Sequence, residues 1–234
     1  VAPSRGLGDV YKRQILYNKK GRKMLQNGIA KSVLIRLPLY LEYLLDLQET
    51  EGYSGYISAT KIAMDLELGE VQVRKDLSFV CGNGKPKLGY DLLVLIEKIK
   101  DYLGCRQRKN AIIIGVGKLG SALFGYRGFE RYGIHIIAGF DLEDKKEDNE
   151  ILIKEFTKKN LLEVFENNSI DIGIICVPKK FAQDVCDILV KMKIKAIWNF
   201  APIRLKVPKN VLVQNENLAY SLSVVSSIIN NKNK

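Results

Sequence analysis

One histidine, one tryptophan and four cysteines in 234 residues leave little material for metal or thiol chemistry. Cys81, Cys105, Cys176 and Cys186 form no C-x-x-C pair. Neither a zinc site nor a dithiol redox site is spelled out, and scattered thiols suit a reducing cytoplasmic compartment. No run reaches the roughly 18 apolar residues of a membrane helix. The longest apolar stretches are strand-length, such as Ala111-Ile112-Ile113-Ile114. Acidic residues are also missing from Tyr11 to Arg36, where eight basic ones stand: Lys12, Arg13, Lys19, Lys20, Arg22, Lys23, Lys31 and Arg36. That imbalance suits a flexible arm over residues 1–30 that is drawn to phosphates. Val1 to Gln14 has neither signal-peptide architecture nor periodicity and reads as a non-native leader.

What is present is enough for two modest domains: 47% of the residues are hydrophobic, and the net charge is +11. Lys+Arg exceeds Asp+Glu by 7 over residues 1–110 and by 4 over 111–234, so the basic excess lies mainly in the first half. There, Val33, Leu37, Tyr40, Leu41, Leu44 and Leu45 recur at threes and fours and predict a helix from Ser32 to about Glu49, with Pro38 inside it. Ser58 caps a short helix ending near Leu66. The turn Leu68-Gly69-Glu70 leads into a second helix, Val71 to Phe79, whose inward residues are Val73, Leu77 and Val80. Two short helices joined at a glycine have the form of a helix-turn-helix. Gln72, Arg74 and Lys75 then fall near the start of the helix that would enter a major groove, with Ser58 and Ser78 as further contacts. Glycine-rich Cys81 to Tyr90 reads as a hairpin wing carrying Lys85 and Lys87. A helix follows from Asp91 to Leu103, so the DNA-binding domain spans 31–104. A solvated charged face on a small helical domain is the bland alternative.

Beyond a short basic linker, strands and helices alternate. Strands are expected at Ala111–Gly115, Ile134–Asp141, Asp171–Val177, Ala196–Phe200 and Val211–Gln214. Helices are expected at Leu119–Arg127, near Ile151–Asn167, and at Lys179–Met192. That alternation predicts an α/β domain over 110–216 with a parallel sheet covered on both faces, and a C-terminal helix and tail over 217–234. Gly115-Val116-Gly117-Lys118-Leu119-Gly120 follows the first strand and opens a helix. In that context the three glycines form a dinucleotide cradle. Asp141, 21 residues after Gly120 at the end of the second strand, is placed to accept from a ribose 2′-OH, which favours NAD(H). Lys145 and Lys146 leave room for a 2′-phosphate.

A hydride-transferring enzyme needs a positioned acid or base. His135 lies in the apolar strand Gly133-Ile134-His135-Ile136-Ile137 and reads as structural. No Ser/Tyr/Lys set and no metal-ligand cluster is seen, so no catalytic residue is assigned. The nucleotide reads as a signal, with a small NAD-dependent oxidoreductase as the alternative.

The chain resembles the Rex family of redox-sensing transcriptional repressors. The residues carrying the resemblance are Gln72-Val73-Arg74-Lys75-Asp76-Leu77-Ser78, Leu88-Gly89-Tyr90-Asp91, Gly115 to Ala122, Phe140-Asp141, Val177-Pro178, Ile194-Lys195, Asn199-Phe200-Ala201-Pro202, Arg204-Leu205 and Val207-Pro208. The resemblance implies a homodimer whose winged-helix domains hold an inverted-repeat operator and whose Rossmann domains sense NADH against NAD⁺. It also implies an exchange of the C-terminal helix between subunits. By the same resemblance Tyr126, Val177, Pro178, Asn199, Phe200 and Ala201 join the nucleotide site. Four positions depart from the pattern. Glu42 and Asn217 stand where an arginine and an aspartate form an interdomain ion pair, and Pro86-Lys87 stands where Arg-Gly is usual in the wing. A DNA binder with a weakened NADH response is therefore the alternative function.

Overall fold

The computed structural model describes residues 31–142, 145–146 and 152–232. They form two units divided between Arg106 and Gln107, each taken by itself below. The expectations for residues 1–30 lie outside the described residues.

In the first unit, apolar spacing of three and four produces helix α1, Lys31–Glu51, which buries Leu37, Tyr40, Leu41, Leu44 and Leu47. Pro38 removes one backbone donor inside this helix without ending it. Five buried side chains, each worth about 1.5–3 kcal/mol, outweigh the loss. Strand β1 (Tyr56–Ile57) leads into α2 (Ala59–Asp65), capped by Ser58, whose Oγ accepts from the Lys61 N–H at 3.0 Å. Helix α3 (Glu70–Cys81) starts at Gly69 and buries Val73, Asp76, Leu77 and Val80. Strand β2 (Tyr90–Asp91) pairs antiparallel with β1, and α4 (Leu92–Leu103) is capped by Asp91 and ends at left-handed Gly104. Arg106 closes the unit by pairing with Glu97 at 2.5 Å and Asp101 at 2.7 Å. Arg36, one of the eight basic residues attributed above to a phosphate-seeking stretch, is instead engaged inside this unit.

The second unit is a seven-stranded sheet. Its strands are β3 (Lys109–Ile114), β4 (Ile134–Asp141), β5 (Lys145–Lys146), β6 (Leu152–Glu155), β7 (Ile170–Ile175), β8 (Ala196–Asn199) and β9 (Leu212–Asn215). Their order is β5-β6-β4-β3-β7-β8-β9, parallel except for β5 at the edge. Leaving β5 aside, the chain leaves β3 in one direction through β4 and β6, then returns to the other side through β7, β8 and β9. That is the doubly wound order whose reversal lies between β3 and β7. Helices α5 (Lys118–Phe124), α6 (Lys158–Asn167), α7 (Lys179–Lys191) and α8 (Leu218–Lys232) complete the unit.

One sheet face is closed by α6 and α7: Ile112, Ile114, Phe140, Ile175 and Ile197 pack with Leu161, Val164, Ala182, Val185 and Leu189. The other carries Ala111, Ile113, Ile174 and Phe124, with half-buried Ile172, Trp198 and Phe200 beside them.

Four expectations need correction. Leu152–Glu155 is a strand rather than the start of a helix, because Ile153 buries against β4 and the helix waits for the Thr157 cap. The helix after the glycine motif stops at Phe124, since Gly125 follows, and a 3-10 helix, Arg127–Tyr132, takes over. The edge strand β5 was not anticipated. The first helix runs to Glu51 instead of Glu49.

Candidate functional site

The C-terminal ends of four parallel strands are laced together where the sheet reverses direction. The Gly115 N–H donates to Phe140 O at 2.8 Å, Cys176 N–H to Ile114 O at 2.8 Å, and Phe200 N–H to Ile175 O at 2.9 Å. Ligands of open α/β sheets bind outside such strand ends. Gly115 has φ +93°, and a Cβ there would lie 2.8 Å from backbone atoms of Cys176 and Val177. Only glycine allows β3 to turn so close to β7. Gly120 is buried beneath the same turn, where a Cβ would lie 2.1 Å from Gly115 O. Gly117, which caps α5, differs: it is exposed, and nothing lies within 4 Å of the position a Cβ would take. The open backbone at Gly117 is what a pyrophosphate would approach, with Lys118 and Leu119 exposed beside it.

Asp141 ends β4 at the same end of the sheet, and its Oδ1 accepts from the Leu142 N–H at 2.9 Å. Val177 and Pro178 form the turn from β7 into α7, and Val177 stands against Gly115. Asn199 is wholly buried. Its Nδ2 is directed at Ala201 O (3.1 Å), Ile203 O (2.9 Å) and Asn215 Oδ1 (2.9 Å), and its Oδ1 accepts from Ala201 N–H at 3.1 Å. With its amide so engaged, Asn199 shapes the loop that carries Phe200 and Ala201. Burial pushes the adjacent Cys176 thiol up to about 12, which keeps it protonated and unreactive.

Tyr126 lies elsewhere. It follows the far end of α5 and packs edge-on against Phe129, which packs on Trp198, which packs on Phe200. A pocket of about 90 Å³ lies there, lined by Tyr126, Phe129, Glu130, Ile134 and Ile136. Thus the strand ends gather the glycines, Asp141, Val177 and Pro178, whereas Tyr126 is linked to Phe200 through two intervening rings. Sequence reading missed Trp198, whose Nε1 donates to Glu216 at 3.2 Å. His135 sits near the start of β4, at the opposite end of the strand from Asp141.

In the first unit, α3 exposes Val71, Arg74 and Lys75 on one face, with Ser78 half-buried on that face and Gln72 half-buried at its flank. Arg74 is ion-paired to Glu70 one turn earlier, an exposed pair worth little and easily exchanged for an anion. Ser78 Oγ donates to Asn83 Oδ1 at 3.2 Å. Ser58 spends its oxygen on the α2 cap and retains its hydroxyl proton to donate.

The wing is a tight turn closed by Leu88 N–H to Lys85 O at 3.1 Å, with Lys85 bridged to Gly89. Pro86 in the second position and φ +64° at Lys87 in the third identify a type II turn, which favours glycine where Lys87 stands. Lys85 Nζ donates to Tyr56 Oη and lies over the ring at 4.7 Å, and that bond raises the lysine pKa. Lys87 thus occupies a conformation that costs a non-glycine residue about 1–2 kcal/mol. Lys87→Gly should leave thermal stability unchanged or slightly raised. If Lys87 contacts a phosphate, the same change should reduce the salt slope of DNA binding by about 0.9. An unaltered slope in a salt series would place Lys87 off the DNA.

Among the described residues no group of three His, Cys, Asp or Glu side chains is placed to hold a metal, and no helix is long and apolar enough to cross a membrane.

Comparison with known proteins finds two family matches: "CoA binding domain" over residues 106–203 and "Putative DNA-binding protein N-terminus" over residues 28–78. The chain is 41% identical to the redox-sensing transcriptional repressor Rex of Treponema denticola, over 84% of this chain and 93% of that one. It is 36% identical to the Rex repressor of Clostridium acetobutylicum, over 89% and 97%. Among solved structures, RSP in complex with β-NAD⁺ and operator DNA superposes with TM-score 0.79 at 34% identity, covering 88% of this chain and 94% of that one. RSP in complex with β-NADH gives 0.76 at 34% identity, covering 88% and 96%.

Proposed function

The chain belongs to the Rex family of redox-sensing transcriptional repressors, and from that membership we propose that it binds an inverted-repeat operator as a homodimer and releases it when NADH fills the Rossmann cradle. One observation carries this reading. A helix-turn-helix with a basic outer face and a glycine cradle at the reversal point of a doubly wound sheet occur in a single chain.

The two units supply the input and the output. Gly117 and the start of α5 receive the pyrophosphate, and Asp141 receives the adenosine ribose. Arg74 and Gln72 read bases, while Lys75, Lys85 and Lys87 neutralise phosphates. The nicotinamide end supplies the redox signal and the protein performs no chemistry on it. The relatives are repressors rather than enzymes, and His135 lies far from the strand ends.

A second copy of the chain accounts for α8. Leu218, Tyr220, Leu222, Val225, Ile228 and Ile229 are each about half exposed or more. So many large apolar residues on one helix are ordinarily covered by a partner. As a repressor acting on operator DNA, the protein works in the cytoplasm on this reading.

NADH regulates only through a difference in affinity between the DNA-bound and released forms. Fluorescence anisotropy of a labelled inverted-repeat duplex at fixed salt should fall on adding NADH and change less on adding NAD⁺. Anisotropy unchanged at saturating NADH favours a second reading, a DNA binder without redox response. A specific observation motivates it: Asn217 is neutral and its Oδ1 caps α8 through the Ala219 N–H at 3.1 Å, and Glu42 is exposed on α1. An acid and an amide cannot form the ion pair that the family resemblance implies at these positions.

A further inference from the structure

The recognition helix α3 carries a carboxylate on its inner side. Asp76 is 3% exposed and lies among Val73, Leu77 and Val80. Two groups of α1, four residues and one turn apart, meet it. Arg36 donates from Nε to Oδ2 at 2.6 Å and from Nη2 to Oδ1 at 2.8 Å, and Tyr40 Oη donates to Oδ2 at 2.8 Å. The Tyr40 hydroxyl is held protonated by burial, and the carboxylate beside Arg36 holds that guanidinium charged.

A buried ion pair is a poor source of stability. Desolvating both charges costs several kcal/mol, and apolar residues of similar volume are often as stable or more so. A two-pronged ionic contact is directional, and apolar contacts are not. Apolar side chains permit small rotations of a helix, whereas a two-pronged guanidinium-carboxylate contact admits one arrangement. A rotation of roughly 20° displaces a side-chain tip about 6 Å from the helix axis by roughly 2 Å. That exceeds the distance window of a hydrogen bond to a base edge. The outer face set by this contact is the one that carries Val71, Arg74 and Lys75.

We infer that Arg36, Tyr40 and Asp76 are positioning residues for DNA recognition: they lock the rotation of α3 against α1 and thereby set sequence discrimination, without contributing a contact to DNA. The inference rests on the operator-binding reading above. Phosphate attraction survives a small rotation of the helix and base readout does not.

The test is the full chain with Arg36→Met, Tyr40→Phe and Asp76→Leu together, which replaces the whole network by apolar groups. Melting temperature and affinities for operator and for random duplex are measured at one salt concentration. The expected result is an unchanged or higher melting temperature, random-duplex affinity within about two-fold of the original, and a loss of operator preference of roughly ten-fold or more. A folded variant with its preference intact overturns the inference. So does a triple variant that fails to fold, because the network would then serve stability. Tyr40→Phe alone keeps the packing and removes one hydrogen bond. It should lower the operator preference by roughly two- to five-fold, and no change there also counts against the inference. An unaltered chain that shows no preference for an inverted repeat would defeat the operator-binding reading itself, whereas preference retained in the variant defeats only this one.

Discussion

Asp76→Ala should lower the stability of the first unit by about 3–5 kcal/mol, the usual cost of removing one partner of a buried ion pair. The substitution leaves the Arg36 guanidinium facing an empty site, with its side chain 16% exposed, and leaves the Tyr40 hydroxyl without its acceptor. A small domain has a margin of roughly 5–15 kcal/mol in total, so a large share of it disappears. Removing the whole network together avoids this penalty, since no charge is then stranded. Hydrogen exchange of the full chain locates the effect. Amides of α3 and of α1 around Arg36 should lose protection, and those of β3 and β7 in the second unit should keep theirs. Full protection of α3 in the variant would mean that the pair contributes little to holding the unit.

Gly117→Ala should leave the second unit as stable as before while weakening NADH binding by roughly 100-fold, or about 2.7 kcal/mol. The added methyl group enters open space, with nothing of the protein within 4 Å, and the backbone there has an ordinary φ of −79°. On the proposed reading this is the space the ligand uses, and a pyrophosphate approaching the N-terminus of α5 would meet the methyl group. Gly120→Ala serves as the contrast, since its methyl group would lie 2.1 Å from a backbone oxygen and must shift α5 against the sheet. The first variant should lose ligand without losing stability, and the second should lose both. Calorimetric titration with NADH and a thermal melt of each variant separate the two. Undiminished NADH affinity in Gly117→Ala would place the pyrophosphate elsewhere.

The parts legible in the sequence were those written in local spacing. Leu37, Tyr40, Leu41 and Leu44 announce α1, Ser58 and Asp91 mark helix starts because capping needs only residues three or four positions apart, and Gly69 marks one as a turn residue. The cradle was legible because its glycines, strand and helix are contiguous. What stayed hidden depends on distant residues. Arg36 and Asp76 are 40 residues apart, so one read only as the end of a basic stretch and the other as part of a motif. Leu152–Glu155 has only four residues, too few for alternation to show, and its identity as a strand comes from pairing with β4. Tyr126 and Phe129 to Phe200 form a chain of rings that only the fold assembles. The departure at Lys87 was visible as a residue change, yet its left-handed backbone was not.

Asn217 and Glu42 concentrate the remaining question on coupling. A nucleotide site and a DNA-reading helix in one chain make a switch only if each ligand changes the affinity for the other, and linkage requires the two changes to be equal. Calorimetric titration of NADH into the protein, with and without a saturating inverted-repeat duplex at one salt concentration, measures this directly. The account predicts that operator DNA weakens NADH binding by at least about five-fold, the lower end of ordinary allosteric coupling. Equal NADH affinity in the presence and absence of the duplex would contradict it.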